Sequence, residues 1–279
     1  MAEVAFVVPV HNRAAVTRTF LQALARQDQQ DFVVVVVDAG STDDTALMLA
    51  AAPLPVHVVR GDASWFWGRG TAEGIAAVAA AQLSSRVVMI NDDLELRPDY
   101  VRRLLATMQA HPDAVVGSTA VEAAPPHRIY AIGGTFLPLL GRVSHRRRRW
   151  RPLRWLPGMG MGLSIATYQR VGGIDWQRFP HYGSDFEFSW RARRQGVPLV
   201  VSDASVYVDA GRAGRKIPAS SSWSAFAQHL LDQRFDENVV WKRSFYEKNW
   251  GPVVGVAAAA RFAAEATLRR CARRARARL

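Results

Sequence analysis

Cysteine is almost absent from this chain, which has Cys271 alone among its 279 residues. A single cysteine excludes an internal disulfide and a cysteine-rich metal centre, and it favours a reducing compartment. No stretch reaches the about 18 consecutive apolar residues that indicate a transmembrane helix. No basic segment precedes the first apolar run, so we expect no signal peptide. These absences predict a cytoplasmic protein.

Negative charge is scarce as well. The chain has 24 acidic residues against 36 Lys and Arg, which leaves a formal net charge of +12. Such a balance favours an anionic partner, namely a nucleic acid, an anionic membrane surface or a phosphorylated substrate. Hydrophobic residues make up 49% of the chain and charged residues 22%, which excludes a disordered protein and suits one sizeable domain with a core.

The first half of the chain alternates apolar runs with helix-like stretches. We predict buried strands at residues 4–10, 32–37, 56–59 and 87–90. We predict helices at residues 14–26, up to 51, at 71–83 and from Pro98 to 110. Strands that are apolar on both faces and alternate with helices predict an α/β fold with a mostly parallel central sheet flanked by helices.

Polar residues follow three of these strands directly: His11-Asn12, Asp38 and Asn91-Asp92-Asp93. Ligands of such sheets bind beyond the carboxyl ends of the strands. Asp38 suits contact with a ribose or a base, and it also suits a turn before the next helix. Oxygen ligands such as Asp93 suit Mg²⁺ or Mn²⁺ on a diphosphate, and they also suit a solvated turn. Neither a GxGxxG motif nor a Walker loop is present, which disfavours dinucleotide and P-loop folds.

Four segments in this order carry a resemblance: VVPVHNR, VVVVVDAGSTDDT, the NDD after the fourth strand, and HYGSDFEFSWRARRQG. Over residues 4–209 the chain resembles glycosyltransferase family 2, and within it bacterial rhamnosyltransferase-like transferases of the cell envelope. The resemblance implies the GT-A fold, with a Rossmann-like nucleotide-binding half at 1–117 and an acceptor-binding half at 118–210. Residues 211–279 would form a flexible loop and a basic helical extension.

The resemblance also implies an activity. An inverting transferase would move a sugar from a UDP- or dTDP-sugar to a hydroxyl of a glycan or lipid-linked acceptor, with Mn²⁺ or Mg²⁺ as cofactor. Asp185 would be the general base and Asp93 the metal ligand. The residues beside the nucleotide and the donor would be Pro9, His11, Asn12, Arg13, Asp38, Asn91 and Asp92.

Two positions depart from the family pattern. Asn91 stands where the first acid of the Asp-x-Asp metal site is expected, which removes one charge and puts metal dependence in question. Asp209 stands near the place where many relatives have a metal-binding histidine. Asp209 could restore the missing carboxylate, or it could be a surface acid.

Other residues have two readings each. Trp67 could stack on a sugar or base and Arg69 could contact the diphosphate, or both could anchor a loop. Glycine lets backbone approach a ligand closely, so Gly160 could lie at the donor or acceptor, or in a bulged strand. Tyr182 and Glu187 could contact the acceptor or support the base. Arg191 could pair with these acids or contact phosphate.

Basic segments lie at residues 145–154, at Arg212, Arg215 and Lys216, and in the tail from Arg269. Arginines mixed with tryptophans suit an anionic lipid surface or a nucleic acid. We favour peripheral contact with the inner face of the cell membrane, because the expected acceptors are membrane-linked. The segment with Arg212, Arg215 and Lys216 could close over the diphosphate. The competing hypothesis is a nucleic-acid- or membrane-binding scaffold on a catalytically degenerate transferase fold.

Overall fold

The computed structural model describes residues 1–137, 142–143, 153–209, 211, 217, 221–235 and 237–276. The strands are β1 (Val4–Val10), β2 (Phe32–Asp38), β3 (Val56–Arg60), β4 (Arg86–Met89), β5 (Leu94–Leu96), β6 (Val115–Glu122), β7 (Ile129–Ala131), β8 (Phe136–Leu137), β9 (Arg142–Val143), β10 (Met161–Ser164) and β11 (Leu199–Val208). The helices are α1 (Ala14–Ala25), α2 (Thr45–Ala50), α3 (Trp67–Ala80), α4 (Tyr100–Ala110), α5 (Ile165–Val171), α6 (Ser184–Arg194), α7 (Trp223–Leu231), α8 (Val240–Trp250) and α9 (Pro252–Arg276).

One large sheet organises the fold, in the order β3-β2-β1-β4-β10-β6-β11-β5, with β7 paired to β6. The strands β1, β2, β3, β4, β6 and β11 all run in one direction, whereas β5, β7 and β10 run opposite. The mostly parallel sheet expected from the sequence is therefore confirmed. The strands β8 and β9 form a separate antiparallel pair.

Both faces of the central strands are buried, which explains why their sequences are apolar throughout. Along β1, Phe6 and Val8 enter the core beneath α1 and α4, while Ala5 and Val7 enter the core beneath α3 and α5. Successive side chains of a strand point to opposite faces, so a strand covered on both faces needs an unbroken apolar run. Burial of each large side chain stabilises the fold by about 1.5–3 kcal/mol.

Helix α3 differs from the expectation, because it begins at Trp67 instead of Thr71. Its first turn therefore includes Gly68, which has low helix propensity and made the segment read as a loop. The backbone N–H of Gly68 donates to the Pro180 carbonyl at 2.8 Å. A Cβ at Gly68 would lie 2.7 Å from the Phe179 carbonyl oxygen. A long-range contact thus selects a glycine where local propensity alone predicts no helix.

Of the three C-terminal helices, α8 and α9 pack against α6. Phe186 and Trp190 of α6 form an aromatic cluster with Phe245 and Tyr246 of α8. The helices α7 and α9 share a second apolar cluster.

The division into halves at residue 117 remains a prediction, and that position lies inside β6. Among the described residues, the structure has no helix with the length and apolar character to cross a membrane.

Candidate functional site

The loop after β1 is hydrogen-bonded to the loop after β2. The backbone N–H of Asn12 donates to the Ser41 hydroxyl at 2.9 Å, and the Asn12 side-chain oxygen accepts from the Thr42 N–H at 2.7 Å. Asn12 has a φ of 52°, a left-handed conformation that asparagine adopts more readily than most residues. His11 Nδ1 lies 2.8 Å from the Ala39 carbonyl oxygen. These bonds make one surface of two strand ends, directly beyond Pro9 of β1.

Asp38 closes a turn and lines a groove. Its carboxylate accepts from the Ser41 N–H at 2.9 Å, and the residue is 6% exposed. In the sheet register Asp38 is opposite Arg60 of β3. Both residues line an open groove of about 630 Å³ that runs between α2 and the edge strand β3. The groove is otherwise apolar, and Asn91 and Asp185 are not part of its lining.

Two acids after β4 share one arginine. Asp92 is 3% exposed and accepts from the Thr17 hydroxyl at 2.7 Å. Arg13 lies 3.1 Å from an oxygen of Asp92 and 3.1 Å from an oxygen of Asp93. Burial raises the pKa of the Asp92 carboxyl, and Arg13 and Thr17 act against that rise. Asp92 thus anchors α1 to the strand end, while the Asp93 side chain remains 43% exposed.

Asn91 faces Trp67. Its side-chain oxygen accepts from the Trp67 indole N–H at 2.7 Å. Both residues are partly buried. The indole ring also lies against the backbone of Gly158, as described below. The structure therefore places Trp67 between the strand end and the segment before β10.

Asp93 and Asp209 flank one end of the β5–β11 pair. The register pairs Leu94 with Val208, and its continuation by one residue would bring Asp93 opposite Asp209. Asp209 is exposed and accepts from the Gly211 N–H at 3.0 Å. No group of three or more His, Cys, Asp or Glu that could hold a metal occurs in the described part of the chain. Two carboxylates fit a divalent ion whose other ligands are diphosphate oxygens and water.

Asp185 is the second residue of α6, after Gly183 at the helix N-cap. One of its carboxylate oxygens accepts from the Gly158 N–H at 2.8 Å. Burial raises the pKa of the Asp185 carboxyl, and the Gly158 bond acts against that rise. The residue still keeps some accessible surface. A carboxylate with a raised pKa that a substrate can reach is suited to act as a general base.

Gly160 is surrounded by protein atoms. Its φ is +81°, and a Cβ there would lie 2.3 Å from the Tyr100 hydroxyl oxygen and 2.5 Å from that of Ser118. Its backbone N–H donates to the Met89 carbonyl at 3.1 Å. Only glycine fits this position, because both the conformation and the space exclude a side chain.

Glu187 and Arg191 belong to a buried ion-pair network. Glu187 is 1% exposed, and its two oxygens each accept from Arg191 at 2.9 Å. Lys248 of α8 lies 2.8 Å from Glu187 and 2.7 Å from Asp175. Arg191 also donates to two backbone carbonyls at and just after the end of α5. The network ties α6 to α8.

Arg69 stacks between two indole rings. Its guanidinium carbon lies 4.7 Å from the centroid of Trp65 and 4.8 Å from that of Trp176. Its nearest acid is Glu73, at 3.7 Å. This packing holds the cation at the side of α3.

Tyr182 is partly buried beside the His181 ring, with the ring centroids 4.5 Å apart. Burial lowers the pKa of His181 to about 4, so its imidazole is neutral near pH 7. The tyrosine lies three residues before Asp185, at the start of the segment that leads into α6. Its predicted contact with the acceptor or the base remains a prediction.

The structure joins Arg13 to Asp92 and Asp93, and Trp67 to Asn91. It places Asp38 in a groove that neither Asn91 nor Asp185 lines. The basic segment 144–152 and the residues Arg212, Arg215 and Lys216 lie outside the described residues.

Sequence reasoning did not identify three of the contacting residues, which are Thr17, Trp176 and Lys248. Thr17 follows Arg13 by four residues, so helical spacing could have placed it on the same face. The contacts of Trp176 and Lys248 leave no local signal.

Several solved structures resemble this fold. TarS from S. aureus, residues 1–349, has a TM-score of 0.56 at 17% identity and covers 74% of this chain and 60% of its own. GalNAc-T7, solved with UDP, GalNAc and Mn²⁺, has a TM-score of 0.58 at 14% identity, covering 75% and 44%. The mannosyltransferase PcManGT from Pyrobaculum calidifontis, solved with GDP-Man and Mn²⁺, has a TM-score of 0.56 at 16% identity, covering 97% and 75%. These likenesses confirm the expected GT-A fold.

Two curated relatives share sequence with the chain. The validoxylamine A glucosyltransferase of Streptomyces hygroscopicus subsp. jinggangensis (strain 5008) is 27% identical over 232 residues, covering 73% of this chain and 54% of its own. Its counterpart from subsp. limoneus is 26% identical, covering 73% and 51%. The chain thus spans about half the length of these relatives. Residues 5–159, more than half of the chain, match the sequence model of Glycosyl transferase family 2, and the chain belongs to this family.

Proposed function

We propose that the chain transfers a sugar, with inversion, from a UDP- or dTDP-sugar to a hydroxyl of a glycan or lipid-linked acceptor. The observation that carries the proposal is the placement of Asp185. The residue is partly exposed, burial raises the pKa of its carboxyl, and Gly158 and Trp67 connect it to the strand end that carries Asp93. A base and a donor site would thus face one cleft.

The nucleotide would lie over the joined loops after β1 and β2. Asp38 and the backbone around Asn12 supply hydrogen-bonding groups there, at the carboxyl end of the parallel strands. Arg13 would remain paired with Asp92 while Asp93 turns to the donor. The stacked guanidinium of Arg69 adds positive charge on the side of α3.

The reaction needs one proton acceptor. The carboxylate of Asp185 takes the proton of the acceptor hydroxyl as that oxygen bonds to the anomeric carbon. The bond from the anomeric carbon to the diphosphate oxygen breaks at the same time, and the diphosphate leaves with the electron pair. Attack opposite the leaving group inverts the configuration of the sugar.

Asp93 and Asp209 would hold a divalent ion, Mn²⁺ or Mg²⁺. Such an ion stabilises the negative charge that develops on a leaving diphosphate. Their place at one end of the β5–β11 pair supports this assignment, as does the half-exposed carboxylate of Asp93. The neighbours GalNAc-T7 and PcManGT were solved with Mn²⁺.

The C-terminal helix supports peripheral contact with an anionic membrane, where an envelope acceptor would be presented. Val253, Val256 and Leu268 of α9 are 81%, 53% and 70% exposed. Arginines such as Arg269 are exposed on the same helix. The exposed apolar side chain of Leu268 beside Arg269 suits the headgroup region of a bilayer. Flotation with anionic vesicles, compared with zwitterionic ones, tests this contact; equal recovery with both would contradict it.

Calorimetry tests the donor site. Wild type and Asp93→Ala are titrated with UDP- and dTDP-sugars in the presence of Mn²⁺, Mg²⁺ or chelator. In the wild type we expect metal-dependent binding of sugars carried by one of the two nucleotides, UDP or dTDP. The substitution should weaken this binding about tenfold or more. Asp203→Asn, at an exposed acid on β11, serves as the matched control. No binding of any nucleotide sugar would favour the scaffold hypothesis instead.

A further inference from the structure

We infer that Trp67 is a positioning residue for Asp185, and that Asn91 serves as the hydrogen-bond acceptor of Trp67 instead of as a ligand to a cation. The inference rests on the proposed function, because it takes Asp185 as the base. It assigns a role to the asparagine that departs from the family pattern.

The first observation is the bond between the two residues. The Trp67 indole N–H lies 2.7 Å from the side-chain oxygen of Asn91. An indole N–H can only donate, and a partly buried donor without a partner costs free energy. A carboxamide oxygen satisfies it without placing a charge beside the ring. The same oxygen is the one that an amide would offer to a metal, and this bond already occupies one of its two lone pairs.

The second observation is the fit of Gly158 on the ring. A Cβ at Gly158 would lie 2.8 Å from Cη2 and 3.0 Å from Cζ2 of Trp67. The backbone of Gly158 therefore lies directly on the indole, at a distance that only glycine allows. Any rotation of the ring would displace this backbone.

The third observation links Gly158 to the base. Its N–H donates to Asp185 at 2.8 Å, and its virtual Cβ would lie 3.1 Å from the Asp185 Cβ. The side chain of Asn91, the ring of Trp67, the backbone of Gly158 and the carboxylate of Asp185 thus form one continuous contact path. The path joins Asn91 at the end of β4 to Asp185 and sets the orientation of the Asp185 carboxylate.

Three variants separate the two roles of Asn91. Asn91→Leu removes the acceptor with little change of volume. Asn91→Asp keeps an acceptor and restores the acid of the family pattern. Trp67→Phe keeps an aromatic ring and removes the N–H. Trp223→Phe, at a half-exposed tryptophan of α7, is the matched control.

Three measurements are made on each variant. The first is the indole ¹H–¹⁵N spectrum of ¹⁵N-tryptophan-labelled protein, in which loss of one signal in Trp67→Phe assigns Trp67. The second is the Mn²⁺ affinity in the presence of UDP. The third is the steady-state kinetics of sugar transfer or donor hydrolysis.

We expect Asn91→Leu to shift the Trp67 signal and to lower kcat about 10- to 100-fold, because a small displacement of a catalytic group has effects of this size. The KM for the donor and the Mn²⁺ affinity should stay within about threefold of wild type on the same argument. Trp67→Phe should lower kcat similarly, and Asn91→Asp should retain most of it without tighter Mn²⁺ binding.

Opposite results overturn the inference. A tenfold loss of Mn²⁺ affinity in Asn91→Leu, or a tenfold gain in Asn91→Asp, would make residue 91 a metal ligand. Wild-type kcat in Asn91→Leu or Trp67→Phe would exclude positioning. Failure of the proposed function is distinguishable, because a wild type without turnover or nucleotide binding would remove the base assignment even if the Trp67 signal still responded to Asn91→Leu.

Discussion

The proposed site has a donor side, formed by the loops after β1 and β2, and a base side, formed by the start of α6 with Asp185. The two sides are held by different kinds of contact. On the donor side, short loops after parallel strands bond to each other through side-chain and backbone groups, as Asn12 does with Ser41 and Thr42. On the base side, α6 is held by an aromatic cluster and by the buried ion pairs of Glu187 with Arg191 and Lys248. The donor-side bonds join the ends of neighbouring strands, 29 and 30 residues apart in the chain, whereas the base side also depends on Lys248, 61 residues from Glu187.

Because of this difference, we expect substitutions on the base side to affect both activity and stability, and substitutions on the donor side to affect mainly binding. A change on the donor side alters loops at the sheet edge and leaves the core intact. A change on the base side alters the packing of the C-terminal helices, because the helix that carries Asp185 is also the helix that they cover. The extension that the sequence presents as an appendage is therefore part of the support of the helix that carries Asp185.

The largest expected effect is that of Asp185→Asn. Loss of the base should lower kcat about 10²- to 10⁴-fold, while the Kd for the nucleotide stays near that of wild type. In the wild type, burial raises the pKa of Asp185, so the rate should fall as the pH drops through that raised pKa, because a protonated carboxyl accepts no proton. Initial rates across pH and calorimetry measure both effects. Unchanged turnover in Asp185→Asn would assign the base elsewhere.

The next effect separates stability from binding on the base side. Glu187→Ala removes the buried partner that Arg191 and Lys248 share, while Lys248 keeps Asp175 and Arg191 keeps two backbone carbonyls. We expect the free energy of unfolding to fall by about 2–3 kcal/mol. Urea unfolding followed by tryptophan fluorescence measures it. Arg243→Ala, which breaks the exposed pair with Glu247 at 3.5 Å, should cost less than about 1 kcal/mol. An equal loss of unfolding free energy in the two variants would contradict the greater contribution that we assign to the buried ion pairs.

The smallest effect belongs to the donor side. Asn12→Ala removes the side-chain bonds to the Thr42 and Asp43 N–H groups and puts alanine at a φ of 52°, a strain of about 1–2 kcal/mol. We expect nucleotide binding to weaken about tenfold (about 1.4 kcal/mol). Asn12→Gly removes the same side-chain bonds without the strain. It should therefore bind nucleotide as weakly as Asn12→Ala but unfold at a higher urea concentration. A loss of more than about 3 kcal/mol in the free energy of unfolding of Asn12→Ala would show that this loop supports the core.

Much of the fold could be predicted because its signals are local. The runs at Val4–Val10 and Phe32–Asp38 are apolar on both faces, which a parallel sheet requires. The polar residues that end these strands, such as Asn12 and Asp38, meet at one edge for the same reason. The start of α3 was wrong, since a glycine chosen for a tertiary contact resembles a loop residue.

The contacts that complete the candidate site leave no such signal. Lys248 lies 61 residues from Glu187 and Trp67 lies 24 residues from Asn91. A lysine on a helix surface and a lysine in a buried ion pair have the same sequence context. The partner is decided only when α8 packs on α6.

The sequence by itself determined the parallel sheet and the edge at which polar groups gather, because unbroken apolar runs mark the buried strands and the polar residues that follow them mark the strand ends. Only the tertiary structure decided which of those groups can act. It bonded Asn91 to Trp67, buried Asp92 on Thr17, and left the carboxylate of Asp93 half exposed. The physical reason is that hydrogen bonding and burial depend on neighbours brought together by folding, and these neighbours set both the charge and the reach of a side chain.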